Sequence, residues 1–170
     1  MKINFKNSKG FTLVETLVYI AIFSLFIGSL ISFLNTITTS RLNNQIVLEV
    51  NNQGNQIIRN ITSSIENASS INSPSISGTS QTLSISTPSI GTSPIVFFLN
   101  SGTLFMTEGA GSPIPLTNNK VIVSSLVFSN LGLASNSGSI QIRFTITSNI
   151  TNSSHLTKTA DFYGSASIRR

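Results

Sequence analysis

From Phe11 to Leu34 the chain reads FTLVETLVYIAIFSLFIGSLISFL, with one charged residue, Glu15, and no further charge before Arg41. An apolar stretch of this length crosses the roughly 30 Å hydrocarbon layer of a bilayer as a helix. Residues 11–34 therefore read as a transmembrane helix, which leaves roughly a hundred residues for one small soluble fold. Lys2, Lys6 and Lys9 precede the run, and basic residues are scarce just after it. By the positive-inside rule this predicts a single pass, with the N-terminus in the cytoplasm and the C-terminal domain outside. A cleavable secretory signal is the competing reading. The run is longer than a usual h-region and lacks an A-x-A-like exit site. Gly10 instead marks the junction between polar and apolar sequence, where a cytoplasmic-side protease would leave Phe11 with a free amine.

Glu15 is costly inside such a segment, by about 2.5 to 3.5 kcal/mol on insertion scales, so a partner is expected. A new α-amino group on Phe11 lies about one helical turn away. In an assembly of parallel helices, the carboxylate of one subunit meets the amine of its neighbour and two expensive charges are neutralised together. The alternative is a lone acid favoured by the helix dipole, which explains neither the basic leader nor the Gly-Phe junction.

Lys9-Gly10-Phe11-Thr12-Leu13-Val14-Glu15 followed by a long apolar helix resembles the class III signal of type IV prepilins and type II secretion pseudopilins. In that family a prepilin peptidase cuts after the glycine and N-methylates the new terminal Phe. The resemblance implies residues 1–10 as leader, Gly10 and Phe11 as the cleavage junction, Phe11 as the methylated terminus and Glu15 as the assembly carboxylate. The partners it implies are other pilin or pseudopilin subunits, the prepilin peptidase, the inner-membrane assembly platform and the membrane itself. The expected location is the bacterial inner membrane, then a periplasmic or extracellular filament. Many major pilins bend this helix at a proline; here the run has none, and Gly28 and Ser29 are its weak points.

Beyond the run, Leu42, Ile46, Val50, Ile57, Ile61, Ile65 and Ala68 recur at three- and four-residue steps with Gly54 in the one gap, which predicts an amphipathic continuation over 35–68. Gly54 costs about 1 kcal/mol against Ala in a helix interior, and close approach of a strand would account for it. Residues 69–80, rich in Ser, Pro and Gly, read as a linker. Over 81–170, QTLSIS, PIVFFL, TLFM, KVIVSSLVF, GSIQIRFTIT and the last segment HLTKTADFYGSASIRR read as strands. NSG is a hairpin turn, and Ile140, Ile142, Phe144 and Ile146 alternate with polar residues. The predicted class is α+β, a long helix on an antiparallel sheet. The phrases FFLNSGTLFM, PLTNNKVIVSSLVF and FYGSASIRR are similar to J-type minor pseudopilins and W-type minor pilins, which implies a subunit that initiates or caps assembly.

Other chemistry is sparse. Only 9% of residues are charged, against roughly 25% in an average soluble domain, and Ser, Thr and Asn fill the polar positions. There is no cysteine and one histidine, His155, so thiolate chemistry, disulfides and a Ser-His-Asp triad together with a His-based metal cluster have no basis within the chain. Outside the apolar run the acids are Glu49, Glu66, Glu108 and Asp161, too scattered for a calcium cage. TEGAGSP, from Thr107 to Pro113, reads as a turn, and the Asn-x-Ser/Thr triplets at Asn60, Asn67, Asn149 and Asn152 are those expected by chance in this composition. No enzyme activity, metal or cofactor is expected. The formal charge of +5 falls to about +2 without the three leader lysines. Arg143, Lys158, Arg169 and Arg170 form a basic patch if the last two strands pair, but such a charge holds DNA feebly, so no specific nucleic acid is expected. An adhesin or DNA-uptake subunit is the alternative function.

Overall fold

The computed structural model describes residue 10 and residues 12–89, 91–132, 138–150 and 157–169. The chain divides into two compact units, one through Leu42 and one from Asn43 onward. Helix α1, Leu13–Glu66, supplies all the regular structure described in the first and the opening element of the second.

In the first unit, α1 runs through Gly28 and Ser29 without a break. Its apolar side chains are exposed, from Leu13 at 77% to Leu25 at 76% and Phe33 at 61%. A helix apolar on every face has no core of its own to cover and is suited to lipid, and by length and composition it can cross a membrane. Several of its hydroxyls are satisfied internally: Thr16 donates to the Thr12 carbonyl at 3.2 Å, Ser24 to Ala21 at 2.8 Å and Thr36 to Ser32 at 3.0 Å. Such back-bonds spare a polar side chain an unpaired stay in hydrocarbon.

In the second unit the helix is amphipathic. Ile46, Val50, Gly54, Ile57, Ile61 and Ile65 are buried along one stripe. The helix ends at Glu66, two residues short of the Ala68 expected from periodicity, because the Asn67 side-chain amide takes the Ser63 carbonyl at 2.8 Å and the Ala68 amide turns to Ile65 at 3.1 Å. The remaining elements are β1 Ser70–Ser73, β2 Thr79–Ser80, β3 Leu83–Ser86, β4 Ile95–Asn100, β5 Thr103–Glu108, β6 Ile114–Pro115, β7 Val121–Asn130, β8 Ser139–Ser148 and β9 Thr159–Ser167. They make two antiparallel sheets, ordered β1-β3-β4-β5-β6 and β2-β7-β8-β9, in place of the single sheet expected. The class is α+β.

The expected linker over 69–80 is a correction. Ser70–Ser73 pairs with β3 and Thr79–Ser80 with β7, one strand on each sheet. Between them Asn130, buried, donates from Nδ2 to the Pro74 carbonyl at 3.0 Å and accepts the Gly132 amide at 2.9 Å. Ser, Pro and Gly composition marks where a chain can turn, but these residues pair through their backbones, which composition does not display.

Two local devices set the registers. Ser101 and Gly102 both have positive φ, 49° and 79°, so the β4–β5 hairpin closes on the two-residue turn whose twist matches its strands. In β7 the buried residues run Val121, Val123, then Leu126 and Phe128, a step that breaks strict alternation. A bulge between Ser124 and Val127, with Ser125 at φ 53°, absorbs the extra residue and returns the side chains to the core. Beside it, Ile140, Ile142, Phe144 and Ile146 of β8 are fully buried while Gln141 and Arg143 are exposed. Phe144 stacks on Phe162 of β9, centroids 5.4 Å apart, and the Phe162 ring fills the space a Cβ on Gly54 would take. The close approach expected at Gly54 is therefore by a strand of the second sheet.

Candidate functional site

The N-terminal end of α1 gathers the residues singled out by sequence. Gly10 is exposed and a Cβ there would meet nothing within 4 Å. Phe11, Lys2, Lys6 and Lys9 lie outside the described residues. Thr12 precedes the helix as its cap: its Oγ1 accepts the Glu15 amide at 3.2 Å, and its carbonyl accepts the Thr16 amide at 3.2 Å. This satisfies one of the orphan donors of the first turn. Thr12 and Glu15 thus have the T-x-x-E spacing of a capping box.

Glu15 is half-buried, whereas every other described residue from Thr12 to Thr36 is exposed. Its Oε1 accepts a hydrogen bond from the Tyr19 hydroxyl at 3.1 Å. Residues i and i+4 share a helix face, and the later side chain leans back toward the N-terminus, so the phenol reaches the carboxylate with no distortion of the backbone. The acid also stands in the first turn, where the helix dipole favours negative charge. Thr16, Tyr19, Ile20, Ile22, Phe23 and Phe26 line a shallow, mostly apolar concavity of about 550 Å³ next to this pair. Gly10 and Glu15 stand out in the sequence, whereas the parts of Thr12 and Tyr19 emerge only in the structure. The T-x-x-E motif and the Glu-to-Tyr spacing of four were the available signals.

Elsewhere the polar groups are dispersed. Among the described residues no three of His, Cys, Asp or Glu are grouped to hold a metal ion. Glu49 accepts from the Asn118 amide at 2.6 Å and from Gln53 at 3.4 Å, and Asp161 accepts from the Thr145 hydroxyl at 2.7 Å. Gly109, at φ 54°, and the Gly111 amide bonded to the Glu108 carbonyl at 2.9 Å make the TEGAGSP segment a turn. Among the described residues the basic patch does not form as a cluster. The last strands do pair, but Arg143 stands opposite Tyr163, while Lys158 precedes β9 and Arg169 follows it. At about 3.3 Å per residue each is some 15 to 20 Å along the ladder from Arg143, beyond a Debye length at physiological salt. Arg170 and His155 lie outside the described residues.

The family profile of the prokaryotic N-terminal methylation motif matches residues 5–31. No curated protein and no solved structure gives a significant match. The matched span takes in the Gly10–Phe11 junction, the Thr12 cap, Glu15 and Tyr19. It is a class III prepilin signal, consistent with a type IV pilin-like protein, and such a signal implies processing by a prepilin peptidase and assembly into pilin-like filaments. The apolar helix and the motif together fit membrane anchoring.

Proposed function

We propose that the chain is a minor pilin or pseudopilin subunit that initiates or caps a type IV pilus-like or type II secretion filament. The observation that carries this reading is the coincidence of the matched methylation motif with one half-buried carboxylate in the first turn of α1, whose stretch up to Thr36 is otherwise uncharged and exposed. In this reading the peptidase cuts between Gly10 and Phe11 and methylates the Phe11 amine. Lys2, Lys6 and Lys9 hold the leader on the cytoplasmic side. The inner-membrane assembly platform then lifts the subunit into the filament as Glu15 meets a neighbour's amine. The role is structural and calls for no catalytic group, metal or cofactor. The spread of Arg143, Lys158 and Arg169 along the β8–β9 ladder disfavours the alternative of DNA uptake.

Glu15→Gln tests the reading. The variant should enter the membrane and be cleaved normally, because removing the charge makes insertion cheaper. It should be depleted from sheared filaments about tenfold or more relative to its membrane level, because the neighbour's amine is left unpaired. Glu15→Asp, with the charge kept and the reach shortened, should fall between. Incorporation of Glu15→Gln at the wild-type level would sink the assignment of Glu15. The mass of filament-associated protein should correspond to a chain starting at methylated Phe11, and retention of Met1 there would exclude the proposed cut.

A further inference from the structure

Glu15 has a partner within its own helix. Resting on the reading of Glu15 as the assembly carboxylate, we propose that Tyr19 is a positioning residue for assembly. Its hydroxyl holds the carboxylate on one face of the helix while the subunit waits in the membrane, ready for the neighbour's amine.

Three observations carry this. The Tyr19 hydroxyl donates to Glu15 Oε1 at 3.1 Å. Glu15 is half-buried on a helix whose other described residues from Thr12 to Thr36 are all exposed, so the acid alone is shielded where nothing else is. Thr12 already accepts the Glu15 amide, placing Glu15 at the position from which a capping-box glutamate ordinarily turns back toward the start of the helix. Its Oε1 is engaged by the Tyr19 hydroxyl, which leans back one turn to reach it. A free glutamate side chain samples several rotamers and loses that freedom when it pairs. One fixed in advance loses less, the general advantage of a pre-organised site. A carboxylate has two oxygens, each able to accept more than one hydrogen bond. Engagement of Oε1 by a neutral phenol therefore leaves capacity for a cation.

The phenol has a second effect before assembly. A carboxylate without a donor in hydrocarbon is strongly penalised, and one hydrogen bond to a charged group offsets part of that cost. Tyrosine suits the task because its ring is apolar enough to face lipid while its tip remains a donor.

The test uses the full chain in its own cell, as wild type, Tyr19→Phe, Glu15→Gln and the double variant. For each, the ratio of sheared-filament to membrane-resident protein is measured, with the mass of the mature chain as a check on cleavage. Phenylalanine keeps the ring and removes only the donor, so packing is retained. Tyr19→Phe should lower the ratio about fivefold, the cost of ordering one side chain that is no longer fixed beforehand. The double variant should be no lower than Glu15→Gln alone, because without the carboxylate the hydroxyl has nothing to position. A Tyr19→Phe ratio equal to wild type overturns the proposal, as does a double variant in which the two losses multiply. In both cases Glu15→Gln still shows its own loss and the reading of Glu15 stands. If Glu15→Gln is itself incorporated at the wild-type level, that reading fails and the role of Tyr19 fails with it.

Discussion

One helix meets two different environments. Up to Thr36, α1 exposes every described side chain except that of Glu15, whereas from Ile46 to Ile65 it buries a stripe at three- and four-residue steps. Backbone geometry and helical hydrogen bonding are of one kind throughout. The distribution of apolar side chains differs: all faces in the first stretch, one face in the second. Secondary structure alone therefore says little about what stabilises a segment. The first stretch depends on a solvent that accepts hydrocarbon on every side, and the second on two sheets that cover one side.

Substitutions can break this contrast or make it sharper, and the largest effect is expected under the covered stretch. Phe144→Ala removes a fully buried ring from β8 together with its stack on Phe162. It should destabilise the C-terminal unit by about 3 to 5 kcal/mol, read as a lower melting temperature of the full chain in detergent. Ile61→Ala, at a position with 0% exposure, should cost about 2 to 5 kcal/mol. Leu25→Ala, in the same helix but 76% exposed, should leave that melt within about 0.5 kcal/mol. Equal losses from Ile61→Ala and Leu25→Ala would erase the contrast. Gly54→Ala opposes two terms. The helix gains about 1 kcal/mol in propensity, but the new methyl enters the Phe162 ring, which is held by its stack on Phe144. Overpacking of about 1 to 3 kcal/mol should win, giving a net loss by the same melt. Asn118→Ala, which removes the donor to Glu49 at an exposed site, should cost about 1 kcal/mol or less.

The sequence revealed these elements unevenly, for physical reasons. The apolar run is legible because its signal is additive over many residues. The covered stripe of α1 is legible because the isoleucines keep helical spacing, and β8 because Ile140, Ile142, Phe144 and Ile146 keep the period of two. Ser70–Ser73 was hidden, since a short edge strand contributes backbone groups and one buried side chain, Ile71, to a composition that otherwise reads as linker. The division into two sheets was hidden as well, because strand neighbours far apart in sequence, such as β2 and β7, leave no local mark. At the N-terminal site, Gly10 and Glu15 stand out by contrast with their surroundings. Tyr19 does not, because an aromatic residue in an apolar run looks like more of the run until the helix brings it over the acid.

The manner in which β9 completes the C-terminal unit has a consequence for the order of events. Phe162 supplies the ring that lies over Gly54, and the Arg169 amide takes the carbonyl of Glu66, the last residue of α1. Partners more than a hundred residues apart must therefore meet before the covered stretch of the helix is closed over. In a chain synthesised from its N-terminus, the isoleucine stripe leaves the ribosome early and its final cover late. Contacts of such long separation slow folding and prolong the exposure of apolar surface. Until the last strand arrives, the stripe is open to chaperones, to proteases and to other copies of itself.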